Sequence, residues 1–256
     1  MTFKPHQTLH ILPTPAKLGE MAARYVARLS SQAIAERGRF TVALSGGSLT
    51  KIVGPALTAA PWHSEIDWSA WYVFWADERC VPLDHPDSNF RLAREYLFDQ
   101  IKIPVAQIYP IDDSFEPEAT AKAYQAVLAQ LFQPAPGQPP RFDLILLGLG
   151  EDGHTASLFP HHPVLNEAAR WVAPIFDSPK PPPERITLTL PVINHARAVA
   201  FITAGPAKAD ILAQVLATGT PAETLPAQLV QLSKGELNWF VDEAASAQLK
   251  HRQQEE

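Results

Sequence analysis

The chain has 256 residues, 46% of them hydrophobic and 19% charged, which is enough for one large domain with a substantial core and too apolar for a disordered chain. Its 27 acidic against 21 basic residues leave a formal charge of −6, which disfavours a general electrostatic grip on nucleic acid or anionic lipid, so an anionic ligand has to be held by a local site. No apolar run approaches the ~18 residues of a spanning helix, the N-terminal stretch lacks the apolar core of a secretory leader, and a single cysteine, Cys80, forbids an intrachain disulfide, so a reducing cytoplasm is the expected location.

In chain order, residues 17–38 predict a helix, with Leu18, Met21, Ala22, Tyr25, Val26 and Leu29 on one face and Gly38 as its stop. FTVAL (40–44) is a short apolar strand, SGGS a glycine turn, and Leu49, Ile52, Val53, Ala56 and Leu57 fall at helical spacing after it. WYVFW (71–75) is a second buried strand, followed by helices over 88–101 and 117–132, the latter with Pro117 in its first turn. FDLILLGLG (142–150) is the strongest strand signal, and 185–190, 198–205 and 237–241 give three more, with a helix over 208–217. Strands alternating with helices, several continuously apolar, predict an α/β fold in which one mostly parallel, doubly wound sheet carries helices on both faces. The 25 prolines, roughly twice the ~5% average, concentrate in 134–140 and 178–183, which read as stiff loops. The first of these is no domain boundary, because matching strand–helix units lie on both sides, so residues 1–256 form a single domain.

Ligands of open parallel sheets bind beyond the carboxyl ends of the strands, which directs attention to SGGS, ADER, GLGEDGH and AGPAK. Ser45, Gly46, Gly47 and Ser48 set two residues without Cβ at a helix start, where free N–H groups attract an anion; a serine-capped glycine turn also occurs with no ligand. Asp77, Glu78 and Arg79 read either as a solvated turn or as a place where Arg79 holds an anionic oxygen with a carboxylate orienting it. Gly148-x-Gly150-x-x-Gly153 copies the dinucleotide fingerprint, but Pro160 and Pro163 interrupt any following helix and Asp152 would sit beside a pyrophosphate. What remains there is Asp152 two residues from His154, a carboxylate able to fix an imidazole tautomer and support its charge. Lys208 and Arg185 are surface charges taken singly, and with the glycine loop they supply local positive charge. His154, His161 and His162 fit no metal-ligand spacing, no G-x-S-x-G elbow makes Ser45 or Ser157 a nucleophile, and Cys80 reads as a buried, inert thiol.

SGGS (45–48), WADERCVPLDHPDSNF (75–90), FDLILLGLGEDGHTASLFPHHPVL (142–165), PPPERITLTLPVIN (182–194), TAGPAKADIL (203–212) and LPAQ with GELNWFVDEAA (225–245) resemble the successive blocks of 6-phosphogluconolactonases. The resemblance covers roughly residues 40–245 and implies a modified doubly wound, Rossmann-like fold shared with glucosamine-6-phosphate deaminases. It implies hydrolysis of 6-phospho-D-glucono-1,5-lactone to 6-phospho-D-gluconate, the second step of the oxidative pentose phosphate pathway, with no metal and no cofactor. By the same resemblance Ser45, Gly46, Gly47, Ser48, Lys208 and Arg185 would bind the phosphate. His154 would act as general base and then acid, Asp152 would orient it, and Asp77 and Arg79 would meet the sugar end, with Arg79 on the developing oxyanion. The only partner expected is the sugar-phosphate lactone, with no nucleic acid and no membrane, and the chain is expected to be a monomer or weak homo-oligomer. Two rivals stand beside this reading. A deaminase carries a glutamate five residues after the histidine, where this chain has Phe159; a sugar-phosphate sensor needs a DNA-binding module, and the stretch before Phe40 is expected to hold one helix and little else, with no basic recognition helix.

Overall fold

The computed structural model describes residues 7–112, 116–217, 224–232 and 234–252. The first six residues of the N-terminal stretch lie outside them, as do position 233 of the last block and the end of the chain after 252. The elements are β1 (Gln7–Leu12), α1 (Pro15–Arg37), β2 (Phe40–Leu44), α2 (Ser48–Thr58), α3 (Trp62–Glu65), β3 (Trp71–Trp75), β4 (Asp77–Arg79), α4 (Asn89–Tyr96) and α5 (Pro117–Phe132), then β5 (Leu144–Leu147), β6 (Val172–Ile175), β7 (Arg185–Leu188), α6 (Leu190–His195), β8 (Ala198–Thr203), α7 (Ala209–Val215), β9 (Glu236–Asp242) and α8 (Ala247–Arg252).

Six strands form one parallel sheet in the order β1-β9-β8-β5-β2-β3. Side chains alternate along each strand, so Phe40, Val42 and Leu44 enter a core under α1 and α2 together with Leu144, Leu146 and Ala200. Ala43, Ile145, Leu147, Val199 and Phe201 face the opposite core, beneath Tyr124 and Leu128 of α5 and Leu212 of α7. Both faces are therefore covered, which is why these strands read as unbroken apolar runs. Helix α1 begins where Thr14 caps it by accepting from Lys17 N at 3.2 Å, a contact worth about 1 kcal/mol, and ends at Gly38 in the left-handed region (φ 73°).

Four expectations need correction. Strand 185–190 is not in the main sheet: β7 pairs antiparallel with β4 and β6 in a separate three-stranded sheet. Asp77–Arg79, read as a turn, is a strand there, because ladder pairing uses backbone and tolerates charged side chains. The strand in 142–150 stops at Leu147, where Gly148 turns away and its carbonyl accepts from Thr155 Oγ1. The helix in 88–101 ends at Tyr96, after which a short 3-10 turn follows. Strand β1 was not foreseen; it completes the edge beside β9.

Candidate active site

The strand order places β2 between β3 and β5, so the chain winds outward in opposite directions from the β2/β5 boundary. That is the topological switch point, and the loops leaving β2 and β5 diverge there to leave a crevice. A cleft of about 180 Å3 opens at this point. On one side it is lined by Ser45, Gly46, Gly47 and Ser48, on the other by Gly148, Gly150 and His154, with Asp77, Arg79, Arg185 and Lys208 around them. Nine of the ten residues singled out in the sequence thus line one space. The tenth, Asp152, reaches it through His154.

The β2 loop is shaped for close approach to an anion. Gly47 holds φ 73° and ψ −145°, a conformation that L side chains rarely adopt, and precedes α2 with no side chain capping the helix start. The first N–H groups of α2 are thereby left to a ligand. A Cβ on Gly46 would fall 1.8 Å from Asn89 Oδ1, so the loop is pressed directly against α4. Ser45 Oγ is buried at the cleft and has no hydrogen-bond partner among the described residues, as is Arg79 Nε, and buried polar atoms of this kind are costly unless something pairs with them.

The β5 loop holds Asp152 and His154 against each other. Gly150 N donates to His154 O at 2.8 Å and Gly153 N to Gly150 O at 3.1 Å, curling the chain so that Asp152 folds back on the imidazole. Nδ1–H of His154 donates to Asp152 Oδ1 at 2.5 Å, and the His154 backbone N–H reaches the same oxygen at 3.3 Å. An ionised carboxylate only accepts, so Nδ1 carries a proton, and in the neutral ring Nε2 presents a lone pair. Partial burial works against charge on Asp152, but the hydrogen bond from His154, its charge and that of Lys180 hold the carboxyl well below the ordinary carboxylate range. Gly150 is glycine of necessity, since a Cβ there would stand 2.0 Å from His154 Nδ1. The ring packs on Phe159, which is 1% exposed, with 4.8 Å between centroids.

Positive charge gathers around this pair despite the acidic chain. Arg79 and Arg185 are opposed across the β4/β7 ladder, a like-charge pairing that disfavours the sheet unless an anion lies nearby. Burial pushes the Arg185 guanidinium below its ordinary range, with Asp77 opposing and Arg79 adding to the shift. Its donors are spent on Lys180 O (2.7 Å), Pro181 O (3.2 Å), Pro182 O (2.9 Å) and Ser157 Oγ (3.3 Å), while Ser157 Oγ donates to Asp77 Oδ2 at 2.9 Å. Arg185 therefore fixes the proline-rich loop, and that loop delivers a residue the sequence reading missed: Lys180 lines the cleft with its Nζ 3.6 Å from Asp152 Oδ1. Lys208 arrives after Gly205 (φ 94°), whose N–H is held by both oxygens of Asp242. Burial pushes its ammonium below the ordinary range, Glu151 at 3.8 Å opposes this and Lys180 adds to it.

Glu78, read in the sequence with Asp77 as a carboxylate able to orient Arg79, is 1% exposed and ties β4 to α4 instead. It accepts from the backbone N–H groups of Arg79 (2.7 Å), Asn89 (2.8 Å) and Phe90 (2.8 Å), anchoring the start of α4 to β4. Burial raises its carboxyl to about 7 against these donors. Cys80 is buried and its thiol is raised to about 12, first by that burial and then by Glu184 and Glu78, which suits an inert group. Among the described residues no helix is long and apolar enough to cross a membrane.

The family model for glucosamine-6-phosphate isomerases/6-phosphogluconolactonase matches residues 13–239. A protein of Oryza sativa subsp. indica named Probable 6-phosphogluconolactonase 3, chloroplastic, is 46% identical over 240 residues, spanning 91% of this chain and 73% of that relative. The solved structure of 6-phosphogluconolactonase from Trypanosoma brucei superposes with a TM-score of 0.85 at 30% identity, covering 97% of this chain and all of that one. A monomeric glucosamine-6-phosphate deaminase shares the fold alone, at 18% identity and a TM-score of 0.77 over 94% of this chain and 99% of its own.

Proposed function

The chain belongs to the family of glucosamine-6-phosphate isomerases and 6-phosphogluconolactonases, and from that premise we propose that it hydrolyses 6-phospho-D-glucono-1,5-lactone to 6-phospho-D-gluconate. The observation that carries this reading is the pairing, across one cleft, of an imidazole with a fixed tautomer and an uncapped helix start ringed by cations. A lactone is an activated ester, so a positioned base and a donor for the oxyanion suffice, and a remote phosphate supplies binding and orientation.

The phosphate sits on Ser45, Gly46, Gly47 and Ser48 with Lys208, and Arg185 adds field from behind the proline-rich loop. His154 Nε2 takes a proton from water as its oxygen attacks the lactone carbonyl carbon, and the imidazolium that forms is stabilised by Asp152. Arg79 and Lys180 offset the charge that gathers on the former carbonyl oxygen. As the tetrahedral adduct collapses, the bond from the carbonyl carbon to the ring oxygen breaks and His154 returns the proton to that oxygen. Water is consumed, no covalent enzyme intermediate forms and no metal is required. Asp77, held by Ser157, aligns the sugar end. The deaminase reading is disfavoured by Phe159, a fully buried apolar ring where that chemistry uses a carboxylate.

We place this activity in a reducing cytoplasm, consistent with one buried thiol, in a monomer or weak homo-oligomer. The test compares turnover of 6-phosphogluconolactone, unphosphorylated gluconolactone and glucosamine 6-phosphate before and after exhaustive EDTA treatment. Fast, EDTA-resistant hydrolysis of the phosphorylated lactone is expected; release of ammonia from glucosamine 6-phosphate, or activity restored only by added metal, contradicts the reading.

A further inference from the structure

At the amino ends of the same strands lies a second cavity, of about 390 Å3, within the roughly 300–1,000 Å3 typical of small-molecule sites. Strand β2 has five residues, so at about 3.3 Å per residue this cavity stands roughly 17–20 Å from the glycine loop. Its charged lining comes from positions that immediately precede strands or end a helix: Arg37 closes α1, Arg39 precedes β2, Arg141 and Asp143 precede β5, and Arg197 precedes β8. Four arginines thus meet one carboxylate.

That carboxylate is already saturated. Asp143 accepts from Thr41 N (2.8 Å), Thr41 Oγ1 (2.8 Å) and Arg37 Nε (3.1 Å), with Arg197 Nε 3.3 Å away. Glu36 pairs with Arg37 from the rim, which still leaves two guanidinium charges in excess. Arg39 and Arg141 spend one donor each on the backbone, on Leu131 O (3.2 Å) and Lys234 O (3.1 Å). The Nε atoms of Arg141 and Arg197 are buried with no hydrogen-bond partner among the described residues. Burial pushes Arg197 below its ordinary range, and the charges of Arg37 and Arg141 add to the shift. Clustered, mutually repelling guanidinium groups, two of them with a buried unpaired Nε, around a small-molecule-sized space are the complement of a compact polyanion, and planar donor forks match phosphate oxygens two at a time.

We propose that this cavity is a second ligand site, separate from the hydrolytic cleft, that binds a small molecule carrying two or more linked phosphate groups. Two excess charges set the minimum valence, and a volume of about 390 Å3 suits a small molecule. Inorganic pyrophosphate is the probe. It is titrated into the full-length 15N-labelled protein, with Lys208→Ala as background to weaken the hydrolytic cleft, while backbone amide shifts are followed. The expected result is saturable perturbation of residues 37–41, 141–143 and 195–197. The Arg39→Gln/Arg141→Gln pair, which leaves both partners of Asp143 in place, should weaken binding at least about tenfold without lowering the melting temperature or lactone turnover. Perturbation confined to 45–48 and 205–208, no saturation at millimolar pyrophosphate, or unchanged affinity in the glutamine pair overturns the proposal. Binding weakened only in step with a lowered melting temperature does so as well.

Discussion

The two halves of the cleft achieve their chemistry by opposite means. On the β2 side recognition is built from backbone: glycines, an uncapped helix start and a loop pressed against Asn89, with cations standing back from it. On the β5 side it is built from side chains, where Asp152, His154 and Phe159 fix one ring and Lys180 and Arg79 surround it. In the proposed reaction, backbone donors suit the phosphate, whose charge does not change, whereas a side chain able to gain and lose a proton is needed where charge develops. The comparison makes the halves separable: damage on the β5 side should appear in kcat, and damage on the β2 side in the preference for a phosphorylated substrate.

The largest effect is expected for His154→Ala, which should lower kcat by about 10²–10⁴-fold with little change in KM. Gly150→Ala leaves every functional group in place yet drives a methyl into the Asp152–His154 pair, and is expected to cost about 10²-fold in kcat through misplacement alone. Steady-state kinetics on the folded variant check this, and near-normal kcat would show that the pair need not be held so closely. On the other side, Lys208→Ala should lower kcat/KM for the phosphorylated lactone by about 10–100-fold, as for a lost charged hydrogen bond, and leave unphosphorylated gluconolactone nearly untouched. Equal losses on both substrates would merge the two halves.

The smallest effect is one of stability. Because Asp152 is held below the ordinary carboxylate range, its pairing stabilises the fold above the unfolded carboxylate pKa of about 4 and is lost as pH falls through the depressed folded value. Asp152→Asn should therefore melt below the wild type at pH 6, and the gap should close on acidification. A gap independent of pH would mean that the loss does not come from the charge on Asp152. The carboxylate is 36% exposed, so solvent screening keeps the gap small.

The sequence made the parallel strands and the residues after them legible because a strand covered on both faces is apolar throughout and the switch point lies at its carboxyl end. FTVAL, LILL and AVAFIT show this directly. Strand β1 escaped because this edge strand has no buried residue, with Ile11 41% exposed, and carries no such run. Sheet β4-β7-β6 escaped for a different reason: Asp77, Glu78 and Arg79 owe their extended form to backbone pairing with Arg185, Ile186 and Thr187, which no local pattern announces. Lys180 was unreadable because its position follows from three carbonyls gripped by Arg185. Its place between prolines just before that arginine was the one available signal.

The most direct test follows the loss of freshly generated 6-phosphogluconolactone by NMR with the wild-type protein, with His154→Ala and without protein. The account predicts rapid loss that survives EDTA and falls close to the protein-free rate in the variant. Loss that is equally rapid in folded His154→Ala, or no faster than the protein-free control in the wild type, would contradict it.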